Sequence, residues 1–252
     1  MTLDTIKRFS NRVANYTKYR PGYPPEVLEL FRREMGLTQD SIIADIGSGT
    51  GLSAKPFLEN GNTVYGVEPN AAMRQAAEDY LKDFPYFISH DGTAENTNLA
   101  NSSIDFVTAA QAFHWFDADK TRTEFRRILK PGGYVALIWN ERQLDTTEFL
   151  REYEKLLLKY AADYEKVRHE NIDQQKLGAF FQDEYQRASF PNEQVFDLAG
   201  LRGRLLSSSY MPAEDDPSFP ALEKELQNVF AKHAENDRIK VFYDTNIYYK
   251  QY

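Results

Sequence analysis

The sequence predicts an α/β fold: a doubly wound, mostly parallel sheet of seven strands, with an antiparallel C-terminal strand and a helical insertion over one side. Three observations carry this. Between Ser41 and Asn140, short runs that are apolar on both faces alternate with amphipathic helical patterns, as in a parallel sheet covered by helices on two sides. The stretch ADIGSGTG, residues 44–51, puts three glycines directly after the first such run, where a doubly wound sheet passes from strand to helix. The tail IKVFYDTNIYYKQY alternates strictly, with Ile239, Val241, Tyr243, Thr245, Ile247 and Tyr249 on one face, the pattern of an antiparallel strand.

The elements follow in order. FSNRVANYTKYRPGYP sets Phe9, Val13 and Tyr16 at helical spacing, and that helix must end near Tyr19, before the Pro21-Gly22 turn. PPEVLELFRREMG is a covering helix with Pro at its start, Val27, Leu28, Leu30 and Phe31 inward, and Gly36 at its end. The strands are SIIADIG, TVYGVEP, YFISHD, IDFVTAAQ and GYVALIWN. Between them NAAMRQAAEDYLKDF and DADKTRTEFRRILK read as helices, the second stopped by Pro131-Gly132-Gly133. Next, FLREYEKLLLKYAADYEKV aligns Phe149, Tyr153, Leu156, Leu157, Tyr160, Tyr164 and Val167 on one stripe, a long amphipathic helix. Two more helices are expected at LAGLRGRLLSSS and ALEKELQNVFAKH, and YQRASF pairs with the tail at the sheet edge. Without an internal repeat or linker, residues 1–252 read as one domain. Its parts are an N-terminal lid and helix (1–40), a ligand-binding core (41–140), a helical insertion with a sheet strand (141–235) and the C-terminal strand (236–252).

Composition narrows the function. The 252 residues carry 30 Lys and Arg against 38 Asp and Glu, a net charge of −8, which argues against a nucleic-acid partner. Cysteine is absent, so disulfides, thiolate metal sites and cysteine nucleophiles are excluded. The histidines at 90, 114, 169 and 233 show no metal-ligand spacing, and no metal is expected. The N-terminus lacks a signal-peptide block, and the longest apolar run, YVALIW, is too short for a bilayer; a soluble, cytoplasmic protein with no membrane partner is expected. With 16 Tyr and 17 Phe, flat apolar pockets or an aromatic core follow.

The glycine loop lets backbone approach a ligand without Cβ interference and aims helix N–H groups at it. Its spacing is G-x-G-x-G, not the G-x-G-x-x-G of dinucleotide sites. Glu68, at the end of the second run, stands where a carboxylate accepts both hydroxyls of a ribose; the plainer reading is a solvated loop carboxylate. On these residues the chain resembles the class I S-adenosylmethionine-dependent methyltransferases, with a Rossmann-like fold and 41–140 matching the core. The resemblance implies that Asp45, Gly47, Ser48, Gly49 and Gly51 form the first cofactor wall, that Glu68 holds the ribose, and that Met73 packs on the adenine. In HDGTAE, Thr93 and Ala94 fall where relatives read the adenine edge, Thr93 replacing the usual Asp. Gln111, closing the fourth strand in AAQAFHWFD, matches the position beside the sulfonium. His114 and Trp115 follow on the loop and are read as lining the active site, His114 as a catalytic base candidate; packing residues are the plainer alternative.

The segment Y-x-x-Y-R-P-G-Y-P resembles the lid of a narrower subgroup that methylates small acids such as trans-aconitate. By that likeness Arg20 pairs with the cofactor carboxylate, and Tyr16 and Tyr19 cover the acceptor pocket; the alternative is that Arg20 only ties the lid down. Arg202, Arg204 and Ser207–Ser209 are candidates to recognise an anionic acceptor. QAFH is not the Asn/Asp-Pro-Pro-aromatic motif of enzymes that methylate nucleobases or amide side chains. The expected function is methyl transfer from S-adenosylmethionine to a small molecule, with S-adenosylhomocysteine as product, a carboxylate oxygen as the leading acceptor, and a monomer or homodimer as the working form. Two rivals stay open: a non-catalytic S-adenosylmethionine-binding protein, which a filled acceptor cavity would favour, and an NAD-dependent dehydrogenase, which the loop spacing disfavours.

Overall fold

The structure, a computed structural model, describes residues 18–161, 164, 174–182, 184–208 and 210–252. α1 (Pro25–Met35) leads into β1 (Ile42–Ile46), α2 (Lys55–Glu59), β2 (Thr63–Val67), α3 (Ala71–Tyr80), β3 (Phe87–His90) and β4 (Ile104–Ala110). A 3₁₀ turn at Phe113–Trp115 precedes α4 (Ala118–Ile128) and β5 (Leu129–Arg142). The rest is α5 (Glu148–Tyr160), α6 (Gln174–Phe181), β6 (Gln186–Phe196), α7 (Leu198–Leu206), α8 (Phe219–His233) and β7 (Ile239–Gln251). The strands form one seven-stranded sheet in the order β3-β2-β1-β4-β5-β7-β6. β1 to β5 pair in parallel, whereas β7 runs antiparallel to both β5 and β6. The chain order reverses between β1 and β4, and the carboxyl ends on either side of that reversal are where such sheets hold ligands.

The two-faced apolar runs separate as a pleated strand dictates. Ile43, Val64, Ala136 and Ile138 pack with α1 and α2 through Phe31 and Phe57. Ala44, Val67, Val107, Val135 and Leu137 face the other way, against Phe125 of α4 and Phe180 of α6. A third cluster joins α5, α7 and α8 to the start of β7 through Leu156, Leu201, Leu226 and Val241, so the helical insertion is anchored on the antiparallel end of the sheet.

Three expectations change. α4 ends at Ile128, not at the Pro131-Gly132-Gly133 stop, and those residues lie inside β5. The β4–β5 register shifts between Ile104 and Phe106, and a bulge of this kind accommodates Pro and Gly in a strand. α5 stops at Tyr160, with Ala161 in extended backbone; Tyr164 is buried in the same cluster without continuing that helix, and Val167 lies outside the described residues, as do Phe9 and Val13 of the N-terminal helical pattern. α6 was not expected at all.

Phe180 of α6 is wholly buried and meets Phe113 at 4.7 Å, Phe181 at 5.0 Å and Phe125 at 6.1 Å between ring centroids. It therefore supports the turn that follows β4. Phe180→Ala is expected to cost about 3–5 kcal/mol of folding stability in denaturant unfolding; a loss below about 1 kcal/mol would show that α6 contributes little to the core.

Candidate active site

The glycine loop starts where β1 ends. Gly47 and Ser48 donate their N–H groups to Val67 O, at 2.8 and 3.2 Å, which pins the loop to the end of β2. Gly47 has φ of +68°, and a Cβ there would stand 2.7 Å from Ala112 Cβ; backbone conformation and space both require glycine. Gly49 N–H donates to Glu68 Oε2 at 3.1 Å, and Asn70 N–H donates to Glu68 Oε1 at 2.9 Å. Burial pushes the Glu68 carboxyl above its ordinary value, and nearby Asp45 adds to this. The bonds from Asn70 and Gly49 and the charge of Arg74 pull the other way without cancelling the rise.

β4 leads into Gln111, a non-glycine residue at φ +56°, a backbone region that non-glycine residues seldom adopt. Gln111 N–H donates to Ile138 O at 2.9 Å and Nε2 to Asn140 O at 3.1 Å. Its Oε1 is buried with no hydrogen-bond partner among the described residues. Together these elements border a cavity with about 1120 Å³ of space between protein atoms, a volume that includes its opening to solvent. One wall, hereafter the loop wall, carries Gly47, Ser48, Gly49, Glu68, Met73 and Gln111, with Trp115 beside them.

The far wall is cationic and phenolic: Arg20, Arg142 and Arg204 with Tyr164, Tyr210 and Tyr243. Arg142, closing β5, pairs with Glu154, donates to Tyr164 Oη at 2.8 Å and lies 5.4 Å over the Tyr153 ring. Arg204, on α7, donates through Nε to Tyr243 Oη at 3.2 Å and through Nη1 to Ser208 Oγ at 3.1 Å. Among the described residues no carboxylate forms an ion pair with Arg204, and its Nη2 makes no hydrogen bond. Burial opposes the charge on Arg204, but the phenol oxygens of Tyr243, Tyr153 and Tyr210 outweigh it and the pKa is raised. It is a permanent cation. Arg20 Nη2 donates to Ser207 O at 3.1 Å.

Arg20, Gly47, Ser48, Gly49, Glu68, Met73, Gln111 and Trp115 thus stand on the cavity wall. Other residues expected there do not. Asp45 lies behind the loop, wholly buried, accepting from Ser53 Oγ at 2.6 Å and Thr108 Oγ1 at 3.0 Å, so it supports the loop from the protein side. Gly51 turns towards Leu81 and Ala77 of the adjoining core. Thr93 accepts the Asn96 N–H at 3.2 Å within its own turn, and Ala94 is buried in the apolar cluster below. Tyr19 packs its ring on Gly203 instead of lining the cavity. His114 sits on the exposed side of the 3₁₀ turn, its ring 4.5 Å from that of Trp115. Dense surrounding protein and the Lys176 ammonium push its pKa down; the open face of the residue lets water screen that shift. His114 is thus next to a wall residue without itself lining the cavity. Arg202 is held on the surface by Glu214 and Glu223. Tyr16 and Ser209 lie outside the described residues. Thr50, Asn70, Arg142, Tyr164, Tyr210 and Tyr243 reach the wall without having been expected. The charged Arg142 closing an apolar strand was the one available signal among them.

Residues 44–137 match the methyltransferase domain family. An uncharacterized methyltransferase-like protein of Schizosaccharomyces pombe is 27% identical over 95% of this chain and 93% of its own. An uncharacterized methyltransferase of Mycobacterium tuberculosis is 34% identical, over 55% of this chain and 54% of its own. Among solved structures, a protein described as a type II methyltransferase from Anaeromyxobacter dehalogenans superposes with a TM-score of 0.69 at 19% identity, covering 92% of this chain and 98% of that one. Phosphoethanolamine N-methyltransferase 2 of Haemonchus contortus, solved with S-adenosylhomocysteine and phosphomonomethylethanolamine, superposes with a TM-score of 0.57 at 17% identity, over 98% of this chain and 58% of that one. The chain shares the fold of these solved methyltransferases, the second of which has also been solved with S-adenosylmethionine bound. The matched residues 44–137 run from β1 into β5.

The cavity suits that cofactor. The acceptor atoms Gln111 Oε1 and Thr50 Oγ1 are buried without a hydrogen-bond partner among the described residues, and an ammonium group supplies donors for both. Each Glu68 oxygen accepts one N–H and keeps a lone pair for a ribose hydroxyl. The Arg20 guanidinium matches a carboxylate, and Met73 offers apolar surface to a purine. Among the described residues no three His, Cys, Asp or Glu side chains are grouped as a metal site, and no helix is long and apolar enough to cross a membrane.

Asp45 gives the site a pH signature. Burial pushes its carboxyl up to about 6, against the bonds from Ser53 and Thr108. Between the unfolded value of 3.8 and about 6 the folded chain keeps a proton that the unfolded chain has lost. Stability from this group is therefore complete below about pH 4 and lost as pH rises through about 6. Asp45→Asn removes the titration. The stability difference between variant and wild type should move by about 2.4 kcal/mol in the variant's favour from pH 4 to pH 7.5, read by denaturant unfolding; a difference independent of pH refutes the assignment.

Proposed function

We propose that the chain methylates a small anionic acceptor, held by Arg204, and that the reaction is O-methylation of a carboxylate such as an aconitate-like acid. The observation that carries this is the composition of the far wall. Among the described residues the only carboxylate on the cavity is Glu68, which belongs to the loop wall, and no histidine lines it. The far wall offers guanidinium and phenol groups and no ordinary base. S-adenosylmethionine supplies an activated methyl group that leaves a neutral thioether behind. A phenol or ammonium acceptor needs a proton removed before it can attack; a carboxylate is already ionised near pH 7. What the chain then has to do is hold, orient and dehydrate the acceptor.

Arg204 fits the first task. It presents a fixed fork of donors on a short buried helix, and such forks bind carboxylates bidentately. Arg142 differs because Glu154 already neutralises it. Trp115, on the cavity wall, offers an aromatic face to a cation. The likeness to the small-acid subgroup in the Arg20 segment agrees with an anionic acceptor, and a net charge of −8 makes a nucleic-acid acceptor unfavourable. Catalysis is favoured over binding alone because, among the described residues, one cavity is lined both by the loop wall and by Arg204.

Two measurements test this reading. Calorimetric titration should show saturable S-adenosylmethionine binding and no NADH binding, with Glu68→Ala weakening the former about tenfold or more, roughly 1.4 kcal/mol. Unchanged affinity in this variant would remove Glu68 from the cofactor site. With tritiated methyl donor, di- and tricarboxylic acids should yield base-labile methyl esters. Arg204→Met should raise the acceptor KM on the order of 100-fold, about 2–3 kcal/mol, with Arg204→Lys in between. Label appearing in amines or phenols, and never in esters, would sink the carboxylate assignment.

A further inference from the structure

α7 carries glycine in its interior at Gly203, where alanine forms helix better. The space a side chain would need is filled by the ring of Tyr19: a Cβ on Gly203 would fall 2.5 Å from Cδ2 and nearer still to Cε2 and Cζ. This contact is one of several ties between the segment at 19–22 and the far wall. Tyr19 O accepts from Gln194 Nε2 at 3.2 Å. Gln194 Oε1 accepts from Tyr243 Oη at 2.8 Å, and Tyr243 Oη accepts from Arg204 Nε at 3.2 Å. Arg20 Nη2 donates to Ser207 O at the end of α7. Gly22 O accepts from Asn140 Nδ2 at 3.1 Å and Asn192 Nδ2 at 2.9 Å.

We propose that Gly203 is a positioning residue. The notch it leaves in α7 seats Tyr19, and that seat sets Arg20 over the cavity on the same helix that carries Arg204. The inference rests on the reading that the cavity binds S-adenosylmethionine with Arg20 in contact. By linkage, a ligand that engages Arg20 must in turn hold Tyr19 in its notch.

Gly203→Ala tests this, because a helix-only role predicts a more stable protein with unchanged binding. Three readouts are taken on the full chain: S-adenosylmethionine affinity by calorimetry, the melting temperature, and the rate of tryptic cleavage at Lys18–Tyr19 followed by mass spectrometry, with and without S-adenosylmethionine. The expected result is a Kd raised about tenfold and cleavage about tenfold faster, with a melting temperature that does not fall. S-adenosylmethionine should slow cleavage of wild type and do so less for the variant. Tyr19→Leu placed in the Gly203→Ala background should recover most of the lost affinity, since the smaller side chain makes room for the methyl group. Wild-type affinity and cleavage in Gly203→Ala overturn the proposal. So does a loss that follows a lowered melting temperature and is not rescued by Tyr19→Leu. If wild type itself binds no S-adenosylmethionine, the cofactor reading fails instead, and the cleavage rates alone decide whether the notch holds Tyr19.

Discussion

One buried carboxylate holds the ligand-facing end of the sheet together. Glu68 takes an N–H from Gly49 on the loop after β1 and another from Asn70 at the start of α3. Two loops that follow neighbouring parallel strands are thereby fixed to a single side chain. Removing a carboxylate from water is unfavourable unless donors replace the lost hydration, and here two backbone donors do so while Asp45 lies close enough to oppose the charge. The same loop is pinned to β2 by the bonds from Gly47 and Ser48 to Val67 O, and the Asn70 side chain caps α3, so Glu68 sits among backbone already fixed on both sides.

The two walls of the cavity are built on different physical terms. The loop wall uses backbone at strand ends, where the parallel sheet sets positions rigidly and Gln111 is held at positive φ by hydrogen bonds to the end of β5. The far wall uses long side chains from β5, α7 and β7, stabilised by phenols and one acid. A buried guanidinium that loses its partners is strongly destabilising, so Arg142 with Glu154 and Tyr164, and Arg204 with Tyr243 and Ser208, each come with a local set of acceptors. Among the described residues a carboxylate neutralises Arg142 and none pairs with Arg204, and it is this asymmetry that the proposed anionic acceptor would use.

The contrast also explains what was legible in the sequence. β1 to β5 announce themselves because a strand buried on both faces must be apolar throughout, and the glycine loop because its backbone admits few side chains. α6 stayed hidden: QQKLGAFF is short and has a glycine inside, so no helical period develops. The stripe through Tyr164 correctly marked buried residues, but apolar spacing does not register the backbone break at Ala161. Asp45, Thr93 and Ala94 do not appear on the cavity wall where they were expected, since a motif fixes chain position and not which side of a loop a side chain takes. Arg142 and Tyr243 were missed for a different reason: they come from distant segments that meet only through the antiparallel pairing of β5 with β7.

That pairing has a consequence for how the molecule comes into being. β7 lies between β5 and β6, although β6 precedes it in the chain. As a nascent polypeptide emerges, β6 has no place in the sheet until β7 follows and inserts beside β5. The glycine loop and Glu68 are complete much earlier, while Tyr243, which orients Arg204, arrives with β7. A ribosome-bound chain without β7 therefore already carries the residues of the glycine loop and Glu68 but still lacks Tyr243, and it leaves an open strand edge at β5 for chaperones to shield.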